Sequence, residues 1–66
     1  MFNIIGCKAV FISTQNCYEE GIIKDVILDE KAVRFTIKVE EHINDKINII
    51  IYKNIHIGNL IELYKD

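Results

Sequence analysis

The stretch Gly21-Ile22-Ile23-Lys24-Asp25-Val26-Ile27-Leu28-Asp29-Glu30-Lys31-Ala32-Val33-Arg34-Phe35-Thr36-Ile37-Lys38-Val39 decides the fold. In its second half, Val33, Phe35, Ile37 and Val39 alternate with Ala32, Arg34, Thr36 and Lys38. Successive side chains of a strand point to opposite faces, so Ala32–Val39 reads as a half-buried strand with the first set inward. The first half does not alternate. Ile23 and Val26 are three apart, with Lys24-Asp25 between them. A β-bulge near Lys24-Asp25 inserts one residue and brings both apolar side chains to one face. Gly21, just ahead, permits a bend or a close backbone approach. Asp29-Glu30-Lys31 is a short charged turn, and the two halves form an antiparallel hairpin.

Working outward, Cys7–Ser13 reads as the first strand, with Phe2–Ile5 as a lead-in. Ala9 and Phe11 lie on one face and Val10 and Ile12 on the other, so the strand is apolar on both sides. Such a strand is central or packs against another subunit. Ser13-Thr14-Gln15-Asn16 is a polar connector. A hairpin centred near Gln15 sets Cys7 opposite the region of Ile23 and Cys17 opposite Ser13. The two thiols then do not meet and stay free, with Cys7 acting as a small buried hydrophobe. Their spacing also lacks the C-x-x-C pattern of zinc or redox motifs.

Beyond the hairpin, Glu40–Lys46 reads as a polar break, either an irregular loop or one helical turn. Ile47–Tyr52 is a fourth strand in which Ile47, Ile49 and Ile51 alternate with Asn48, Ile50 and Tyr52. Ile49-Ile50-Ile51 unpaired at a sheet edge is an aggregation hazard, so the expectation is a strand paired on both sides or covered. Lys53-Asn54 is a turn or break, and Ile55–Ile57 resumes the extended pattern. In the tail, Gly58-Asn59-Leu60 reads as a tight turn before a last strand, Ile61–Leu63. The alternative is a short helix capped by Asn59, since Ile57, Leu60, Ile61 and Tyr64 have helical spacing, but it spans fewer than two turns.

The fold class that follows is all-β: a small five-stranded, strongly bent antiparallel sheet or SH3-like barrel, with room for one short helical turn, over a single domain of residues 1–66. Through Gly21-Ile22-Ile23-Lys24-Asp25-Val26, the hairpin to Val33–Val39 and the ending Ile57-Gly58-Asn59-Leu60-Ile61-Glu62-Leu63, the chain resembles the SH3-like and Tudor-like small barrels over roughly residues 18–63. The resemblance is one of fold and carries no particular activity. It implies binding of peptides, nucleic acids or proteins through loops and one sheet face. The absence of tryptophan counts against the proline-peptide pocket of true SH3 domains.

Composition bounds the rest. A chain of 66 residues buries about 60% of its unfolded surface and draws only about 3–5 kcal/mol from its core. Half of its residues are hydrophobic, more than a thin interior accommodates. The surplus argues for self-association or a sticky binding face. Ile occurs 15 times, and Phe, Tyr, Met, Ile, Asn and Lys, the residues of A/T-rich codons, make up 35 of 66 positions. That usage points to a low-GC genome, such as that of a bacterium or its phage. A net charge of −2 with basic residues dispersed among acids disfavours non-specific nucleic-acid binding. No segment approaches the ~18 apolar residues of a membrane span. Ile4-Ile5-Gly6-Cys7 resembles a lipoprotein box but lacks the basic and apolar segments that precede one. The expected location is cytoplasmic, without membrane attachment.

No catalytic site is legible, and neither metal nor cofactor is expected. His42 follows Glu40-Glu41 and reads as a loop histidine rather than a metal ligand. His56, between Ile55 and Ile57, has no nucleophile or orienting group in a recognisable motif. Asp25, Asp29 and Glu30 read as solvated turn acids, and the three scattered glycines build no phosphate loop. The binding candidates are Arg34, the only arginine, and Tyr52 and Tyr18, since arginine and tyrosine are favoured interface anchors. Tyr52 shares its strand face with Asn48 and Ile50, a mixed surface suited to an interface, and Tyr64 is a further anchor candidate that reads equally as a residue pinning the tail.

The expectation is therefore a non-catalytic interaction module that binds a partner protein or itself as a homo-oligomer, in the setting of a phage or mobile-element accessory protein that inhibits a host factor. The alternatives are a nucleic-acid-binding regulator with a Tudor-like or Sm-like barrel, in which oligomerisation gathers Lys24, Arg34, Lys38 and Lys53, and an oligomer that encloses a small nucleotide near Arg34. Partner, ligand, oligomer number and biological process are not encoded in any motif.

Overall fold

The computed structural model describes residues 4–65. Five strands, β1 (Lys8–Ile12), β2 (Tyr18–Leu28), β3 (Val33–Ile43), β4 (Lys46–His56) and β5 (Leu60–Tyr64), form one antiparallel sheet in the order β4-β3-β2-β1-β5. A single 3-10 turn, Ile57–Asn59, separates β4 from β5. The architecture is all-β and compatible with a small barrel, but the sheet is not closed: β4 and β5 are its two edges. Among the described residues no helix is long and apolar enough to cross a membrane.

The deciding hairpin forms as its pattern dictates. Ile23 pairs with Ile37 and Val26 with Phe35, and the register shifts between Ile23 and Asp25, so the bulge falls at Lys24-Asp25. A Cβ on Gly21 would sit 2.8 Å from Ile37 Cγ2 and 2.9 Å from Val39 Cγ2, and would collide with the Lys38 carbonyl oxygen. Only glycine lets β2 pass this close to β3. Here the two strands part company, since their pairing ends at Ile22–Lys38 while β2 goes on to pair Gly21–Tyr18 with β1.

The inner face of the bent sheet holds one core of Ala9, Phe11, Ile23, Phe35, Ile37, Val39 and Ile55, with Ile4, Val26, Val33, Tyr52 and Leu60 packed against it. β1 lies between β2 and β5, as a central strand; Ala9 and Phe11 are buried on the inner face, and Val10 and Ile12 are half-buried on the outer one. Ile23 donates its backbone N–H to the Cys7 carbonyl, and Ser13 to that of Cys17, as the hairpin centred near Gln15 requires. Neither cysteine is in a disulfide; Cys7 is buried and Cys17 exposed. Within the lead-in, Phe2 and Asn3 lie outside the described residues. Ile4 stands before the turn at Gly6 rather than in a strand.

Three expectations are corrected. Glu40–Lys46 is neither loop nor helical turn: β3 runs on to Ile43, and Asn44 and Asp45, at φ of 50° and 63°, make a two-residue hairpin turn into β4. Two successive left-handed residues are the backbone of the type I′ turn, which matches the twist of the flanking strands. Lys53-Asn54 does not break β4. Pairing shifts there between Phe35–Ile55 and Ile37–Tyr52, with Asn54 at a φ of 62°, so the strand bulges and continues to His56. Finally, the Ile49-Ile50-Ile51 strand is not enclosed: among the described residues β4 pairs with β3 alone. In the tail, the tight turn and last strand form, and Asn59 caps no helix but donates from Nδ2 to the Ile12 carbonyl at 3.2 Å.

Candidate interaction surface

Beyond Lys38 and Ile51, β3 and β4 pair only with each other, through Val39–Ile50, Glu40–Ile49, Glu41–Asn48, His42–Ile47 and Ile43–Lys46. The result is a two-stranded arm. Directly opposed residues of an antiparallel pair share a face. Val39 and Ile50 therefore continue the core face, whereas Glu40 and His42 share the outer face with Ile49 and Ile47. Ile47, Ile49 and Ile51 are 58%, 57% and 48% exposed. They form an unbroken apolar row on the outer face of an edge strand.

The molecule as a whole is elongated. Its extents are 42 × 26 × 16 Å and its radius of gyration is 12.0 Å, against about 10.8 Å for a compact chain of this length. Its exposed surface is 5060 Å², against about 4300 Å² for a monomeric protein of its mass. An isolated two-stranded ribbon is marginal in water, so this segment has most to gain from a partner.

The three sequence-nominated residues do not converge. Arg34 opens β3 on the outer face, opposite Ile27 and His56, and its guanidinium donates to Asp29 Oδ2 at 3.1 Å. The face that Tyr52 shares with Ile50 is the inner one, not an interface surface: Tyr52 is paired with Ile37 and packs against the core, with its ring edge-on to Phe11 at a centroid distance of 5.5 Å. Burial, then the carboxylates of Glu19 and Glu41 and the Cys17 thiol, push its phenol above the usual value, while a hydrogen bond with Ser13 opposes the shift. Tyr52 thus secures the β1–β2 turn, where Ser13 is itself buried. Tyr18 is 75% exposed at the start of β2, opposite Ile12. Tyr64 donates its hydroxyl to Glu20 across β1, pinning the tail to the outer face.

No family model matches the chain, and neither a curated protein nor a solved structure is significantly similar to it. The site must therefore be read from its own chemistry. Two concavities flank the core. One, of about 340 Å³, opens where β2 and β3 diverge and is lined by Lys8, Glu20, Ile22, Lys38, Glu40 and His42, whose charges nearly cancel. Lys38 already contacts Glu40 at 3.3 Å. The other, of about 310 Å³, is an apolar groove between the 3-10 turn and β5, lined by Ile4, Phe35, Ile57, Leu60 and Leu63. His42 does not combine with both neighbouring acids, because strand alternation sends Glu40 to its face and Glu41 to the other. Among the described residues no three His, Cys, Asp or Glu side chains gather as metal ligands.

What sequence reasoning missed is the arm. Its signal was Asn44-Asp45, a dipeptide of two residues that tolerate left-handed backbone, between two extended runs. The polar run Glu40-Glu41-His42 concealed it. Projecting past the core, these positions have no interior to bury into and need no alternation.

Proposed function

We propose that the protein is a non-catalytic interaction module that self-associates through the arm formed by β3 and β4. The observation that carries this reading is the row of Ile47, Ile49 and Ile51, each about half exposed on a strand that among the described residues is paired on one side only. An exposed edge offers a file of unpaired N–H and C=O groups, and native proteins ordinarily blunt it with charge, proline or a bulge. Between Ile47 and Tyr52, β4 carries none of these. The surface beyond that of a compact monomer, roughly 700 Å² by the scaling relation, is close to the ~800 Å² each partner buries in a standard interface.

The strand order, the bulge in β2 and the single 3-10 turn before β5 support describing the scaffold as an SH3-like or Tudor-like small barrel left open between β4 and β5. On such a scaffold the arm is an appendage, free to take part in association without disturbing the core. Sedimentation equilibrium over a concentration series from 1 µM to 1 mM tests the reading, with these limits chosen to span roughly the affinities of transient and stable dimers. The expected result is a mass that rises from 7.7 kDa toward its double. A mass that stays at the monomer value throughout would refute it.

A further inference from the structure

We propose that two copies join β4 to β4, antiparallel, about a two-fold axis at Ile49 perpendicular to the sheet, making one continuous ten-stranded sheet. The inference rests on the self-association reading and adds the partner strand, its direction and its register.

Direction follows from symmetry. A two-fold axis perpendicular to a sheet edge sets the edge strand against itself antiparallel and keeps outer face with outer face. Register follows from the side chains. With Ile49 opposite Ile49 of the second copy, Ile47 lies opposite Ile51 and Ile51 opposite Ile47. The three exposed isoleucines of each copy then fuse into one row of six, shielding one another from water. Carried past the ends of the row, the same register brings Lys53, at the bulge, toward Asp45 of the second copy, the turn residue just before its β4, and Asp45 toward its Lys53, so opposite charges close both ends of the row.

Neighbouring registers lose both features. A shift of the axis to Asn48 sets Ile51 against Asp45, and a shift to Ile50 sets Ile47 against Lys53. Each places a charge over an isoleucine and breaks an isoleucine pair. An axis between residues sets outer-face positions against inner-face ones and divides the row. No other symmetric antiparallel register pairs all three isoleucines and both charges at once.

Two experiments read the register. In a Cys17→Ser background, Ile49→Cys is expected to form a disulfide-linked dimer under mild oxidation, because directly opposed strand residues lie within disulfide reach. Ile47→Cys and Ile51→Cys are each expected to stay unlinked alone and to link when mixed. Charge reversal is the second arm. Asp45→Lys alone, and Lys53→Asp alone, set like charges at both ends and are expected to weaken the dimer roughly tenfold. An equimolar mixture of these two variants restores every opposite-charge pair and is expected to recover the wild-type affinity. Circular dichroism confirms that each variant is folded. If wild-type protein dimerises but Ile47→Cys links to itself, or the mixed charge variants associate no better than each alone, the register is overturned and the self-association reading survives. If wild-type protein remains monomeric at 1 mM, about the weakest association the arrangement could sustain, both fall together.

Discussion

Gly21 and Tyr52 show how single residues hold this thin fold. A methyl group on Gly21 meets the Lys38 carbonyl and the side chains of Ile37 and Val39, none of which can retreat without moving the core. Gly21→Ala is expected to cost about 2–3 kcal/mol, most of the stability a core this size supplies, and urea denaturation will show it as a large fall in midpoint. Tyr52 gives a pH signature. Free tyrosine titrates near 10, and the folded phenol holds its proton more tightly than the unfolded one. Its contribution is therefore complete below about pH 10 and is lost as pH rises from there through the raised folded value. Tyr52→Phe keeps the ring against Phe11, removes the titrating hydroxyl and should flatten the alkaline decline. Denaturation midpoints of both proteins between pH 8 and 11.5, a range chosen to bracket roughly the tyrosine value, measure the difference. A salt bridge as exposed as Arg34–Asp29 contributes little by comparison.

The elements divide into those anchored by the core and the one that is not. β1, the hairpin half of β2 and the first half of β3 each bury one apolar face. The outer half of the β3–β4 hairpin depends on its turn and its cross-strand pairs instead. Asn44 and Asp45 both hold positive φ, which a β-branched residue adopts only at a cost of about 1–2 kcal/mol. Asn44→Val is expected to fray the arm. Amide hydrogen exchange should accelerate across Glu41–Asn48 while the amides of Ile23, Phe35 and Ile37 keep their protection. The deciding hairpin was legible in the sequence because its signals are local: period two in Val33–Val39, and a pair of apolar residues displaced by one in Ile23–Val26. The β3 half of the arm and its turn, Glu40–Lys46, were not, because a strand end that runs past the core leaves no alternation to read.

At the scale of the whole molecule, the shape is elongated and the surface exceeds that of a compact chain, and the arm carries an apolar row on that surface. Ile49→Lys places a charge in the middle of its apolar row. Since Ile49 is already 57% exposed, the substitution is expected to change monomer stability by no more than about 0.5 kcal/mol. It should nonetheless hold the sedimenting mass at that of one chain. Loss of association without loss of stability separates an interface residue from a folding residue.

The sequence by itself determined the class of secondary structure, the bulge at Lys24-Asp25, the separation of Cys7 from Cys17 and the inward-facing residues of the central hairpin, but not which face of β4 meets the core. These depend on side-chain alternation and backbone preference over a few neighbouring positions. Only the tertiary structure decided that β4 is an edge, that the sheet stays open and that Arg34, Tyr52 and Tyr18 lie apart. Strand order is set by pairings between distant segments, such as β1 with β5, and no local pattern records which strand is left without a second neighbour.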